Sequence, residues 1–129
     1  LGADEVKATK KNYGWPEVSH LESKEGMVSP VLVFTPAEAP ASGLVYKSGK
    51  LAEFKDTFLF GCLRGNGIRV VKIDPNDRTK ALSFTKIAAE YGRIRDITEG
   101  PDGYIYFSSS NKDGRGSPKT GDDKIYRIR

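Results

Sequence analysis

Short runs of β-branched and aromatic residues, cut by turn chemistry, constrain this chain more than any other feature. "SGLVYKSG" (Ser42 to Gly49), "DTFLFGCL" (Asp56 to Leu63), "GIRVVKID" (Gly67 to Asp74) and "ALSFTKIA" (Ala81 to Ala88) have the composition and length of strands. Between them stand "KSGK", "RGNG" and "DPNDRTK", rich in the Gly, Asn, Asp and Pro that tight turns require. The run therefore predicts a four-stranded antiparallel meander over residues 42–90, with hardly any helix. A second unit of the same grammar occupies residues 91–129: "RIRDITEG", the turn "PDG", "YIYFSSS", a polar loop and "DKIYRIR". It has three strands.

The two units overlay, "DTFLFGC" on "DGYIYFS" and "GIRVVKI" on "DKIYRIR", at an offset of roughly 45 to 60 residues, the spacing of propeller blades. The fold class expected is all-β, a partial β-propeller of about two blades. Residues 1–41, rich in Gly, Pro, Ser and Glu, hold "NYGWPEV" and "PVLVFTP" and are expected to end a preceding blade and cross to the next. Two blades do not close a ring, and unpaired edge strands invite association. The chain is thus expected to be the tail of a larger protein, in keeping with a start at Leu1 that lacks an initiator Met or leader pattern. In isolation its open blade edges should either pair with copies of itself or be covered by its own N-terminal region.

Composition excludes several functions. The net charge of +4 is spread over the whole length with acids interleaved, so no basic stripe for nucleic acid is formed. Cys62 stands alone, which rules out an internal disulfide or a thiolate metal cluster. No apolar run approaches membrane-spanning length.

The chemistry-bearing signal is Arg93 and Arg95. Side chains alternate along a strand, so residues two apart share a face. Two guanidiniums side by side need an anion, and their fork geometry suits carboxylate or phosphate. The plainer reading is an exposed pair matched by Asp96 or Glu99. Other candidates read plainly too. His20 belongs to a surface loop, and Trp15 with Tyr13 forms a hydrophobic anchor between blades. Cys62 packs as a small apolar group. Asp113, Asp122 and Asp123 do not have EF-hand spacing and are expected in a solvated, mobile loop. Asp102 and Gly103 serve the turn.

"NYGWPEVSH", "TPAEAPASGLVYKSG", "FLFGCLRGNGIRVVKID", "GRIRDITEGPDGYIYFSSSNKDGRG" and "GDDKIYRI" occur in this order and at similar spacing in the soluble glucose/sorbosone dehydrogenases, the pyrroloquinoline quinone-dependent aldose sugar dehydrogenases, which the chain resembles from Asn12 onward. The resemblance implies the last two blades of a six-bladed propeller that oxidises aldoses to lactones, with the quinone at the channel mouth beside a calcium ion. Its partners are then a sugar and an electron acceptor, and its location periplasmic or extracellular. By position the cations that meet the three quinone carboxylates are Arg93, Arg95 and Arg64, where Arg64 replaces the lysine of the best-known glucose dehydrogenases. Phe34 falls, across a one-residue gap, near an aromatic pair of the sugar site. The histidine base and the calcium ligands of the family lie in earlier blades, and His20 does not match the base motif, so this chain alone is expected to be inactive. A non-catalytic propeller serving as a scaffold or as a carbohydrate- or anion-binding module is the competing reading.

Overall fold

The computed structural model describes residues 11–129. The chain divides after Val33 into two compact units. In residues 11–33 the backbone runs through turns, with one isolated bridge between Asn12 and Met27. The Asn12 side chain accepts a hydrogen bond from the Gly14 amide at 2.8 Å, which starts the first of these turns. Trp15, Tyr13 and His20 are all exposed. The indole and phenol therefore do not form the buried anchor that "NYGWP" suggests; the turn holds itself through backbone and Asn12 bonds, without apolar packing on Trp15.

Phe34–Arg129 carries two antiparallel sheets. The first has the order β1(Pro40–Val45), β2(Phe58–Cys62), β3(Ile68–Ile73), β4(Ala81–Ile87), and the second β5(Ile94–Glu99), β6(Ile105–Ser109), β7(Ile125–Ile128). Both are simple meanders, because each connection returns the chain to the neighbouring strand. Only two single 3-10 turns interrupt, Ala52–Phe54 and Ala89–Tyr91. The strands fall inside the runs marked by the sequence, except that β1 begins at Pro40 and stops at Val45. Proline is tolerated at the first residue of an edge strand, where no ladder donor is required.

Alternation decides which face is buried. Leu59, Ile68 and Val70 from the first sheet meet Ile94, Ile97, Ile105 and Phe107 from the second, giving one core between the sheets. Burying each such side chain is worth about 1.5–3 kcal/mol. Close approach is possible because β2 carries Gly61 here: a Cβ at that position would lie 2.8 Å from the Ile94 carbonyl oxygen. Tyr46 is fully buried, and its hydroxyl donates to the Gly103 carbonyl at 2.6 Å while accepting from the Leu51 amide at 3.0 Å. The β1–β2 connection and the β5–β6 turn are thereby tied at one end. Ser42 and the Ile97 backbone exchange two longer bonds of 3.3 and 3.4 Å between β1 and β5.

Candidate anion site

In a meander every second connection lies at the same end. The β2–β3 turn, the β4–β5 connection and the β6–β7 loop consequently gather at one end of the two sheets. They surround an open cleft of about 680 Å³. Its cations are Arg64, Arg93, Arg115, Lys119 and Lys124, against the two acids Glu90 and Asp122, with Tyr91 and Tyr126 as aromatic wall. Those two rings lie 4.4 Å apart, and Tyr126 also stacks on Phe107 at 5.2 Å, so the wall is continuous with the core. Burial pushes the Tyr126 phenol above its ordinary pKa and keeps it neutral. Arg64 is exposed and enters no side-chain hydrogen bond or ion pair among the described residues.

Arg93 and Arg95 do meet an anion, and it comes from their own chain. Asp113 Oδ2 accepts from Arg93 Nε at 3.0 Å and NH2 at 2.8 Å, and from Arg95 NH2 at 2.9 Å. Its second oxygen accepts from the Arg115 amide at 3.0 Å. The Arg93 guanidinium, first of these causes, holds the Asp113 carboxyl down at about 2. Arg93 itself lies one residue before β5, and the ladder is irregular between Ile94 and Asp96. The two arginines are therefore brought together by a shared partner more than by strict alternation. That partner is neither Asp96 nor Glu99.

The loop from Asn111 to Lys124 is largely exposed, as expected of a solvated loop, but it is held by hydrogen bonds to the sheet. The Asn111 side chain makes three hydrogen bonds: its Oδ1 accepts from the Arg93 amide at 2.9 Å, and its Nδ2 donates to the Tyr91 carbonyl and to Asp122 Oδ2, both at 3.0 Å. Asp123 accepts from the Asn111 amide at 2.6 Å, the Lys112 amide at 3.2 Å and the Ser109 hydroxyl at 3.2 Å. These bonds, led by the Asn111 amide, lower the Asp123 pKa. Asp122 and Asp123 are thus loop-closing acceptors. A run of Asn, Asp, Gly, Ser and Lys gives little local sign of this, since apart from the Lys119 amide bond to Asp122 these bonds are made to residues more than ten positions away.

A second carboxylate lies on the other face of the first sheet. Glu38 accepts from Arg69 NH2 at 2.6 Å. Lys86 Nζ sits 3.0 Å from Glu38 Oε2 but points its hydrogens to Oε1 at 3.3 Å and to the Gly65 carbonyl at 2.7 Å. Oε2 and Arg69 Nε are left buried without a hydrogen bond among the described residues. Burial alone would raise the Glu38 pKa; the bonds from Arg69 and Lys86 overcome this and lower it. Gly65 leaves the room, since a Cβ there would fall 1.8 Å from Oε2. Burial first, then the adjacent carboxylate, raises the Cys62 thiol to about 11, so it packs as an inert group. Phe34 belongs to this neighbourhood. Its ring meets Phe60 and Phe84 edge-on at 5.9 Å and covers the Arg69 guanidinium at 4.8 Å, and it does not line the cleft.

The structure thus gathers Arg64 and Arg93 at the cleft, keeps Arg95 beside Arg93 on a common carboxylate outside the cleft lining, and sets Phe34 elsewhere. The donor set suits a planar group bearing several carboxylates: cations with free N–H edges line the same cleft as an aromatic pair, and few acids oppose them. It does not suit a metal. No group of three or more His, Cys, Asp or Glu side chains able to hold one occurs among the described residues.

Comparison with known proteins narrows the chemistry. Residues 1–126 match the Glucose / Sorbosone dehydrogenase family. An uncharacterized protein of Synechocystis is 32% identical, matching 88% of this chain and 30% of its own length. The aldose sugar dehydrogenase YliI of Escherichia coli is 27% identical over 88% of this chain and 34% of its own length. The structure of a PQQ-bound aldose sugar dehydrogenase from Streptomyces coelicolor superposes with a TM-score of 0.72 at 30% identity, covering 91% of this chain and 33% of that one. The chain spans about a third of the length of these relatives, and its two sheets are blades of the β-propeller type.

Proposed function

Since the chain belongs to the Glucose / Sorbosone dehydrogenase family, we propose that it forms a wall of the cofactor site in a pyrroloquinoline quinone-dependent enzyme that oxidises aldoses to lactones. The observation that carries this reading is the convergence of Arg93 and Arg95 on one carboxylate, with the uncommitted Arg64 across the same end of the sheets. Arg64, Arg93 and Arg95 hold the carboxylates of the quinone, each as an always-charged fork with N–H donors to spare. When bound, the quinone supplies the hydride-accepting centre that no side chain provides. The residues of this chain bind and orient it. The Tyr91–Tyr126 wall excludes water from one side, and the Asn111 network keeps the loop from collapsing into the cleft. His20 is exposed in a turn and is assigned no proton-transfer role.

Calcium, which the family resemblance sets beside the quinone, is assigned to ligands outside the described residues. A periplasmic or extracellular location is part of the same reading. No helix among the described residues is long and apolar enough to cross a membrane.

The test is quinone affinity of the full-length protein carrying Arg93→Ala and Arg95→Ala together. A charge-assisted hydrogen bond is worth about 1.5–3 kcal/mol, so losing two arginines should weaken binding by roughly 10²- to 10⁴-fold. A double variant that binds quinone as tightly as the parent would overturn the assignment. Absence of any quinone-dependent aldose oxidation in the parent would replace it with a carbohydrate- or anion-binding module.

A further inference from the structure

The "SNKDGRG" segment, Ser110 to Gly116, carries the carboxylate on which both arginines converge. We propose that Asp113 is a positioning residue: its carboxylate fixes the inner edges of Arg93 and Arg95 so that their outer N–H groups face an incoming polycarboxylate. This rests on the reading of the two arginines as carboxylate-binding residues.

The donor count carries the argument. A guanidinium has five N–H donors. Arg93 commits Nε and one NH2 hydrogen to Asp113. Arg95 commits Nε to the Ser110 hydroxyl at 2.8 Å and one NH2 hydrogen to Asp113. Among the described residues, both NH1 groups and one NH2 hydrogen on each arginine stay uncommitted. Without Asp113, two like charges would sit on neighbouring backbone positions and repel. With it, the trio carries a single positive charge and a fixed spacing. The fixed point is firm: the Asp113 side chain is only 16% exposed, its Oδ1 is held by the Arg115 amide, and Asn111 anchors the loop root to the Arg93 amide. With its carboxyl held at about 2, Asp113 stays ionised at any working pH.

Simple electrostatics makes the opposite prediction, which gives the test its sign. Removing a negative charge beside a carboxylate-bearing ligand should tighten binding if Asp113 acts only through its field. Removing a positioning residue should loosen it.

The experiment is calorimetric titration of pyrroloquinoline quinone into the full-length protein with Asp113→Asn. We expect Kd to rise about tenfold or more, the size of effect that orienting partners have at bound sites, beyond the modest drop in the thermal midpoint of the unliganded protein that loss of the Asp113 charge brings. Asp113→Glu should recover part of the affinity, since the carboxylate returns one methylene displaced. In the Arg93→Ala, Arg95→Ala background, Asp113→Asn should add nothing. Should Asp113→Asn not fold, Ser110→Ala, which frees Arg95 Nε and removes the long Ser110 hydroxyl bond to Asp113, gives the same sign with a smaller change. An unchanged or lower Kd for the foldable variant overturns the proposal. The arginine double variant separates the failures: if it binds normally, the carboxylate-binding reading falls; if it binds weakly while Asp113→Asn is normal, only the positioning role falls.

Discussion

Two carboxylates in this molecule each lie between two cations, Glu38 between Arg69 and Lys86 and Asp113 between Arg93 and Arg95. They share stoichiometry and differ in which partner is left unsatisfied. At Glu38, whose side chain is 9% exposed, the acid keeps an oxygen without a hydrogen bond. Such a group can only take more donors, and Lys86 Nζ, 3.0 Å away, already stands against it. At Asp113 both oxygens are hydrogen-bonded, and spare donors sit on the cations, with Arg95 53% and Arg93 12% exposed. That arrangement can take an acceptor from outside. The first cluster is a staple for the segment entering β1, and the second has the valence of a binding site.

The sharpest way to break this comparison is to truncate each acid. Glu38→Ala leaves Arg69 and Lys86 uncompensated on a largely covered face, and removing one member of a buried ion pair costs about 3–5 kcal/mol. Urea unfolding of the full-length protein should show a loss of that order. Asp113→Asn should shift the urea midpoint much less while moving quinone affinity more. Equal stability losses at the two positions would erase the distinction.

Acid titration sharpens it further. Both carboxyls are lowered in the folded state, so each contributes stability that is fully present above its unfolded value near 4 and is lost as pH falls through the folded value. For Asp113 that loss runs from pH near 4 down to about 2. Unfolding midpoints measured from pH 5 to pH 2 should therefore fall less steeply in Asp113→Asn than in the parent. Matching slopes would show that the carboxyl titrates normally.

The smallest effect concerns Cys62, with its thiol raised to about 11 behind Glu38. Iodoacetamide at pH 8 should label the folded protein far more slowly than the urea-unfolded one, and Glu38→Gln should speed labelling modestly. Prompt labelling of the native protein would mean the staple is open.

How much of this was legible in the sequence follows from how local each signal is. The strands were legible because β-branched runs and turn dipeptides act within a few residues; β2 and β3 lie inside the segments that composition marks. Arg93 and Arg95 stood out as a pair for the same reason. Their partner did not, since Asp113 lies 20 and 18 positions away in a stretch whose composition is that of a solvated loop. Asn111 hid likewise: an amide that satisfies two backbone groups and an aspartate has no signature until the fold closes around it. Glu38 and Arg69 are 31 positions apart, and nothing near Phe34 says that its ring will cover that arginine.

The Tyr46 hydroxyl, which links Leu51 to Gly103, carries a consequence for how the molecule opens. Leu51 lies in a connection where amides ordinarily exchange with solvent by local fraying. Its N–H is spent on a phenol that is itself anchored to the other sheet, so a contact spanning both sheets slows deuterium entry at one loop amide.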